Sequence, residues 1–597
     1  MRNTVRFTLM GILLSLLAGS ANAALPIVRV TANIAGPAIT TWTANNEYQL
    51  VGQIYVLPGA TLTIEAGTLI RSLVADQGSL AVCRGAKIFV MGTKDAPVIM
   101  TGENDTLTAW HEGSNEWGNL TIMGNALVSC SYSKQVPNVV LGRTNTGLPD
   151  GLNQTYMEGL TPANPSDTKT LYGGADDNES SGEIHYLSLR YGGKVIGLGN
   201  ELNGLSMGGI GRGTLVDHVE IINSVDDAIE TWGGKVNYKY VATFNAGDDS
   251  FDVDEGWRGK LQFGLFVEGY AIDATRGGGV SDNVFEIDGA ENTDAQPCTT
   301  ATIYNVTAIG QPLSGRGGTA WRDEAHVQYR NSIFMDLGMQ LVKFDNTDGD
   351  QTTGGYGTGG TLSWADCWTT PYTFRSSVNA IVPTPAAGVF NNPDVLYDVQ
   401  TSGNLCEISD CVFYNNHNTA PGAAGGVEGA YTEADLRGVR APANNNVTAS
   451  SMPIQALTRA AGVTRGGLTV SNVTFINPCA ANDAVTSVKT APADGFFTPA
   501  KFRGAFSATN NWLAGWSGWD RYGRTDTTMN AADPNATIKM TATTSFPTVA
   551  GVIYTVESSS DQRNWSPIGT VVGDGTVMSV TDLKDFDSSK FYRAIRQ

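Results

Sequence analysis

From about residue 45 the chain alternates apolar and polar positions in short runs separated by glycine. Ala60-Thr61-Leu62-Thr63-Ile64-Glu65-Ala66-Gly67-Thr68-Leu69-Ile70 gives way to Gly78-Ser79-Leu80-Ala81-Val82, then to Ala86-Lys87-Ile88-Phe89-Val90-Met91-Gly92. Successive side chains of a strand point to opposite faces, so this pattern predicts half-buried strands. A second signature recurs further along: a polar residue, a small or polar residue, then alternating apolar positions. It appears at His185-Tyr186-Leu187-Ser188-Leu189, Asp217-His218-Val219-Glu220-Ile221, Asn305-Val306-Thr307-Ala308-Ile309, Asn331-Ser332-Ile333-Phe334-Met335 and Asn472-Val473-Thr474-Phe475-Ile476. Where undisturbed, the spacing is 22 to 26 residues. A fixed period of that size predicts a solenoid, with each repeat forming one coil stacked on the last.

The tightest repeat lies between residues 217 and 267. Val225-Asp226-Asp227-Ala228-Ile229-Glu230 is echoed 22 residues later by Gly247-Asp248-Asp249-Ser250-Phe251-Asp252. Lys239-Tyr240-Val241-Ala242-Thr243 and a run from Leu261 share the offset with residues 217–221. This register predicts one lumen column of Val219, Val241 and Phe263, and an asparagine ladder of Asn223 and Asn245 whose amides bond along the stack. Neighbouring parallel strands lie about 4.8 Å apart. Asp226 is therefore expected on Asp248, Asp227 on Asp249 and Glu230 on Asp252, with Asp254 and Glu255 close behind and Glu286 and Asp288 extending the same exposed face.

Two like charges about 5 Å apart repel by roughly 3 kcal/mol at an effective dielectric of 20. Three outcomes can relieve that. A hard cation such as Ca²⁺ can bridge the oxygens, which makes Asp226, Asp227, Glu230, Asp248, Asp249, Asp252 and Asp254 the candidate metal ligands. One acid of a pair can stay protonated, as a general acid does. Or the side chains splay into solvent from turns that favour Asn and Asp for backbone reasons alone.

With these strands and stacks, the chain resembles the right-handed parallel β-helix proteins of the pectate-lyase-like superfamily over roughly residues 45 to 525, especially secreted ones of Gram-negative bacteria. The resemblance implies an all-β solenoid that carries lyases, hydrolases and adhesins alike. Asn223-Ser224-Val225-Asp226 and Gly247-Asp248-Asp249 look similar to the catalytic aspartate segments of polygalacturonase-like glycosidases. The Gly-His-Gly and Arg-Ile-Lys segments of that family are missing, with Arg258-Gly259-Lys260 a distant echo of the second. Pectate lyases combine Ca²⁺ held by acids with an Arg or Lys base. By that likeness Asp226, Asp227, Asp248, Asp249 and Arg258 are the candidate catalytic residues, with Lys260 and Arg276 as further bases. Same-column pairs near about 5 Å suit a metal or a retaining glycosidase, while a diagonal pair such as Asp226 and Asp249 suits the inverting distance of about 6.5–9.5 Å.

Three stretches break the period, about 128–180, 340–400 and 417–465, and read as loops inserted into a β-helix spanning residues 24–530. Near residue 500 the texture turns aromatic, with Phe496, Phe497, Phe502, Phe506, Trp512, Trp516, Trp519 and Tyr522. Such a cluster either caps the open end of the solenoid or offers sugars a stacking platform. Residues 535–597 form a separate segment of alternating strands that resembles small fibronectin-III-like modules and predicts a small C-terminal β-sandwich.

Composition narrows the function further. Arg2 and Arg6 lead the apolar run Phe7 to Leu17, and Ala21-Asn22-Ala23 offers small residues for cleavage, so residues 1–23 read as a secretory signal peptide. The expected location is outside the cell or on its surface, and no later run is apolar enough for a transmembrane segment. Removing Arg2 and Arg6 from the 38 basic residues leaves 36 against 58 acidic, a net charge of −22. A chain this acidic is not drawn to nucleic acid or anionic lipid through its bulk field, but suits a calcium-rich exterior. The expected partner is extracellular or cell-surface polysaccharide, bound by a cation-stabilised protein. The alternatives are a polysaccharide lyase or glycoside hydrolase using the 226–255 surface, and a structural adhesin or spacer with no site. Seven cysteines without zinc or redox spacing predict one or two disulfides pinning loops, plus buried thiols. Asp345-Asn346-Thr347-Asp348-Gly349-Asp350 lacks EF-hand spacing and reads as a solvated loop.

Overall fold

A computed structural model describes residues 24–37, 39–129, 154–160, 167–197, 200–274, 276–290, 297–313, 316–344, 363–372, 403–416, 442–528, 539–559, 566–585 and 591–596. The expected signal peptide, the Asp345–Asp350 loop and most of the three expected insertions lie outside these residues. The chain divides into two compact units, Met1–Met529 and Asn530–Gln597.

The first unit is a parallel β-helix, consistent with the right-handed sense of parallel crossovers. Among the described residues, nine strands stack in one parallel sheet. From Gln53–Val56 it runs through Ser79–Val82, Leu120–Met123, Leu205–Gly208, Ile229–Trp232, Phe251–Asp254, Asn283–Asp288 and Gly317–Arg322 to Val342–Phe344. A 17-stranded parallel sheet forms the rest of the wall. The period-2 alternation sorts side chains by face. Leu205, Met207, Ile229, Phe251, Val253, Phe285 and Ile287 fill the lumen, and the residues between them point outward.

Longer strands of the second sheet bend at a left-handed residue, and these bends repeat coil after coil. Tyr186, His218, Tyr240, Phe263, Asn305 and Asn331 all have φ between 47° and 63°. A second column of such residues contains Asn223 and Asn245, at 56° and 58°. The Asn245 amide donates to the Asn223 side-chain carbonyl at 3.0 Å. This is the expected ladder, and asparagine suits it twice over, because it tolerates the left-handed region and bonds along the stack.

The lumen column differs from expectation at its third member. Val219 pairs with Val241, but Val241 pairs with Gly264. Lys239 faces Gln262, so this coil is 23 residues long rather than 22 and the register slips by one. Phe263 thereby becomes a corner residue and joins an outer aromatic stack. Tyr186 lies on His218 at 4.2 Å, His218 on Tyr240 at 4.4 Å and Tyr240 on Phe263 at 4.9 Å.

The aromatics near residue 500 neither cap the open end nor form a platform. Phe506, Trp512, Trp516 and Trp519 are buried along the flank of the second sheet. Trp512 and Trp516 meet the outer stack edge-on, and Trp519 stacks on Phe244 at 3.9 Å. Their segment is pinned by Glu220, whose carboxylate accepts from the backbone N–H groups of Gly518 and Trp519 at 2.6 and 2.9 Å.

Three further expectations are corrected. The insertion placed at 417–465 ends earlier, because Val447–Thr448 continues the parallel ladder beside Val412–Tyr414. The supposed repeat at Asn472–Ile476 belongs to Val473–Ala480, which pairs antiparallel with Ile454–Arg459. The six described cysteines, Cys83, Cys298, Cys367, Cys406, Cys411 and Cys479, are buried free thiols rather than loop-pinning disulfides.

In the second unit, Ile553–Ser559 runs antiparallel between Ser566–Val572 and Phe591–Arg596, and Lys539–Pro547 pairs antiparallel with Val577–Asp585. No helix among the described residues is long and apolar enough to cross a membrane.

Candidate metal centre

The acidic cluster is built by two successive coils of the nine-stranded sheet. Asp226 and Asp227 lie in the turn before Ile229–Trp232, and Asp248 and Asp249 in the turn before Phe251–Asp254. Strand register places Glu230 against Asp252 and Asp252 against Glu286 in one outward column. Trp232, Asp254, Asp288 and Arg322 follow in the next. The Asp249 N–H donates to an Asp227 carboxylate oxygen at 2.7 Å, which ties the two turns together. Asp249 in turn accepts from the backbone and side-chain N–H groups of Asn283 at 2.5 and 3.1 Å. Asn203 accepts from the Asp227 N–H at 3.1 Å and donates its amide to Glu230.

Carboxylate oxygens of Asp226, Asp227 and Asp248 lie within 4.8 Å of one another, as do those of Asp227, Asp249 and Asp252. The two triads share Asp227. They are not the exposed patch the repeat led us to expect: Asp226, Asp227, Glu230, Asp248 and Asp249 are all 7% exposed or less. Part of an insertion lies on the same face, with Glu158 near Glu230. Met157, Leu160 and Tyr172 pack with Trp232 on the outer face of the sheet, and the Tyr172 hydroxyl donates to Glu255 at 2.8 Å.

Burial and crowding act in the same direction on these acids. Burial, then Asp252, Asp226 and Asp248, push Asp227 well above the usual carboxylate range. Burial, then Glu286, Asp248 and Asp227, do the same to Asp249. Glu230 is raised by burial and by Glu158 of that insertion. Asp252 is raised by burial, Glu286 and Asp254, against an opposing pull from Arg322.

Residues 35–363, more than half of the chain, match the family model of the pectate-lyase like beta helix domain. The chain belongs to that family. No curated protein and no solved structure matches it.

For a pectate-lyase-like β-helix, the placement of the expected base matters. Arg258 is not turned to the acids as a base. It is 2% exposed, and its guanidinium donates to both Asp177 oxygens at 2.5 and 3.0 Å and to the Leu127 carbonyl at 3.0 Å. Burial would raise Asp177, but Arg258 and Lys235 outweigh it and hold the carboxyl below its usual range. The physical reason is local: a buried guanidinium needs a carboxylate partner, and Asp177 of the insertion supplies one. Lys260 points to Asp494 at 2.8 Å, and the Arg276 side chain lies outside the described residues. Asp254 is half-buried and belongs to neither triad, and Glu230 stands beside them.

The repeat did not reveal Arg322, Asn203, Asn283 or Glu158. Arg322 bonds Glu286 at 3.1 Å and Asp288 at 3.2 Å. Its rung is 34 residues from Asp288, and Asp252 is 34 from Glu286. Those two coils fall outside a 22-residue search, and the unusual pairing of Arg322 with an acidic column was the only available signal.

Proposed function

We propose that this is an exported β-helix protein that binds extracellular or cell-surface polysaccharide and is stabilised by Ca²⁺ held among Asp226, Asp227, Asp248, Asp249 and Asp252. The carrying observation is the pair of buried carboxylate triads joined at Asp227. A hard cation takes six to eight oxygens at about 2.3–2.6 Å. Oxygens within 4.8 Å of one another fit around one coordination sphere of that radius, and the donor set is all oxygen. Three carboxylates of a triad would supply part of the shell, with backbone carbonyls and water completing it. Family membership supports polysaccharide as the class of partner.

The lyase or hydrolase reading rests on the same raised carboxyls. It is the weaker one, because the base it assigned, Arg258, is committed to Asp177.

Calorimetry of the wild type and Asp248→Asn, with Ca²⁺ and with chelator, tests the cation. A ligand binding only the folded state stabilises by about 2.7 kcal/mol at a hundredfold excess over Kd. The wild type should gain on that order and the variant should lose most of it. A melting temperature indifferent to Ca²⁺ in both proteins would remove the metal reading. Incubation with polygalacturonate and with neutral glycans tests the rest: retention without cleavage is expected, and chain cleavage lost in Asp248→Asn would turn the assignment to an enzyme.

A further inference from the structure

One outward row of the 17-stranded sheet is polar in coil after coil. Strand register sets Asp217 beside Lys239, Lys239 beside Gln262, Gln262 beside Tyr304, Tyr304 beside Arg330 and Arg330 beside Ser409. Along the first part of this row a later segment of the chain supplies the partners. Lys239 donates to the Phe496 carbonyl and to the Thr498 hydroxyl, both at 2.8 Å. Gln262 takes the Thr498 N–H at 2.7 Å and donates to the Thr498 carbonyl at 2.8 Å. From Tyr304 to Ser409 no such peptide group sits on the row among the described residues. A cavity of about 280 Å³ opens there instead, between the sheet and residues 489–492.

Its floor consists of polar side chains that hold one another in place. The Arg330 guanidinium, on a side chain 7% exposed, donates to the Tyr304 hydroxyl and to Glu407, both at 2.9 Å. Ser409 donates to the other Glu407 oxygen at 2.5 Å. At the rim Lys489 pairs with Asp410 at 3.4 Å while its side chain stays 63% exposed, and its backbone carbonyl takes the Asn331 amide at 2.6 Å. Two cations therefore line the recess with two carboxylates, and the charges balance. The Arg330 guanidinium lies 5.7 Å from the centre of the Tyr304 ring, so recognition here runs through hydrogen bonds rather than ring stacking.

We propose that this recess binds one unit of a neutral glycan chain. The inference rests on the polysaccharide reading above and adds to it a place and a sugar class. The volume lies just below the about 300–1,000 Å³ usual for ligand clefts, which suits a single ring with its neighbours passing over the rim. Sugar hydroxyls both donate and accept. Glu407 and Asp410 offer acceptors, Arg330 and Lys489 offer donors, and hydrogen bonds to charged groups are the strong ones. A uronate would meet Glu407 and Asp410 as like charges, whereas a neutral unit meets no such opposition. Because the floor is already fixed by its own hydrogen bonds, little side-chain freedom is lost on binding. The recess belongs to the 17-stranded sheet and the carboxylate triads border the nine-stranded one, so glycan and cation occupy separate sites.

Titration calorimetry of the full chain with β-1,4-linked gluco-, manno- and xylohexaose, and with polygalacturonate, tests the proposal. The wild type should bind at least one neutral hexaose. Lys489→Ala should weaken that binding at least fivefold, and Thr490→Trp, whose bulk fills the mouth of the recess, should abolish it. Lys489 and Thr490 are exposed, so both variants should keep the wild-type unfolding midpoint. Hexaose binding untouched by either variant would overturn the placement and leave the polysaccharide reading standing. Binding confined to polygalacturonate and lost in Thr490→Trp would overturn the neutral class. A wild type that binds none of the hexaoses overturns the proposal, and one that also fails to bind polygalacturonate takes the polysaccharide reading with it.

Discussion

His326 is fully buried, and neither ring nitrogen has a hydrogen-bond partner among the described residues. Burial depresses its pKa from 6.5 to about 3. The unfolded chain binds a proton near pH 6.5 that the folded chain refuses, so this residue removes stability as pH falls from about 6.5 to about 3. His326→Leu should flatten that part of the stability-against-pH curve, measured as the difference from the wild type in urea unfolding with chelator present. Parallel slopes would show that His326 does not set it. The acids titrate the other way. Asp227, Glu230, Asp249 and Asp252 are raised in the folded state. There the folded chain binds more protons than the unfolded one, and stability is lost as pH rises from the ordinary carboxylate range through the raised values. Asp227→Asn removes one of these charges while its amide oxygen can still accept from Asp249. At pH 8 in chelator the variant should be more stable than the wild type by about 1–3 kcal/mol, and with excess Ca²⁺ it should be less stable. A change of the same sign in both buffers would contradict a cation shared through Asp227.

At the scale of elements, the corner residues and the segment docked on the flank work together. The aromatic stack from Tyr186 to Phe263 presents ring edges and faces that Trp512 and Trp516 cover. Glu220 anchors that cover. It is completely buried, takes the Ser188 hydroxyl at 2.7 Å as well as the Gly518 and Trp519 N–H groups, and lies beside Arg190. Removing one member of a buried charged network leaves the others uncompensated, at a cost of about 3–5 kcal/mol. Glu220→Ala should therefore lose stability on that order in chemical denaturation and expose Trp519 to fluorescence quenchers. A loss below about 1 kcal/mol, with quenching unchanged, would mean that the aromatic packing holds the segment without the carboxylate.

At the scale of the molecule, the lumen of the first unit closes within that unit. Its core runs through one cluster from Ile34 to Phe413, and the flank cluster ends at Tyr522. The three antiparallel pairings described for Lys539 to Arg596 are made between that unit's own strands. A chain ending at Met529 should keep the cooperative unfolding of the β-helix at its full-length midpoint. Loss of that transition would show that the two units depend on each other for stability.

Period and alternation were legible in the residues alone. Strands need an apolar position every second residue, and stacked coils put like residues in contact, so Val219 over Val241, Asn223 under Asn245 and Glu230 beside Asp252 could be written down from spacing. The same arithmetic brought Asp226, Asp227, Asp248 and Asp249 together. It failed where one residue was added, since a slip of one exchanges the two faces of a strand and sent Phe263 outward. It also failed wherever non-periodic segments fold back. Packing of Met157, Leu160 and Tyr172 against Trp232, capture of Arg258 by Asp177, and the flank position of Trp512, Trp516 and Trp519 depend on contacts between residues 60 to 298 positions apart. Repetition encodes contacts between neighbouring coils. Contacts made by an insertion depend on its three-dimensional path, which only the tertiary structure decides.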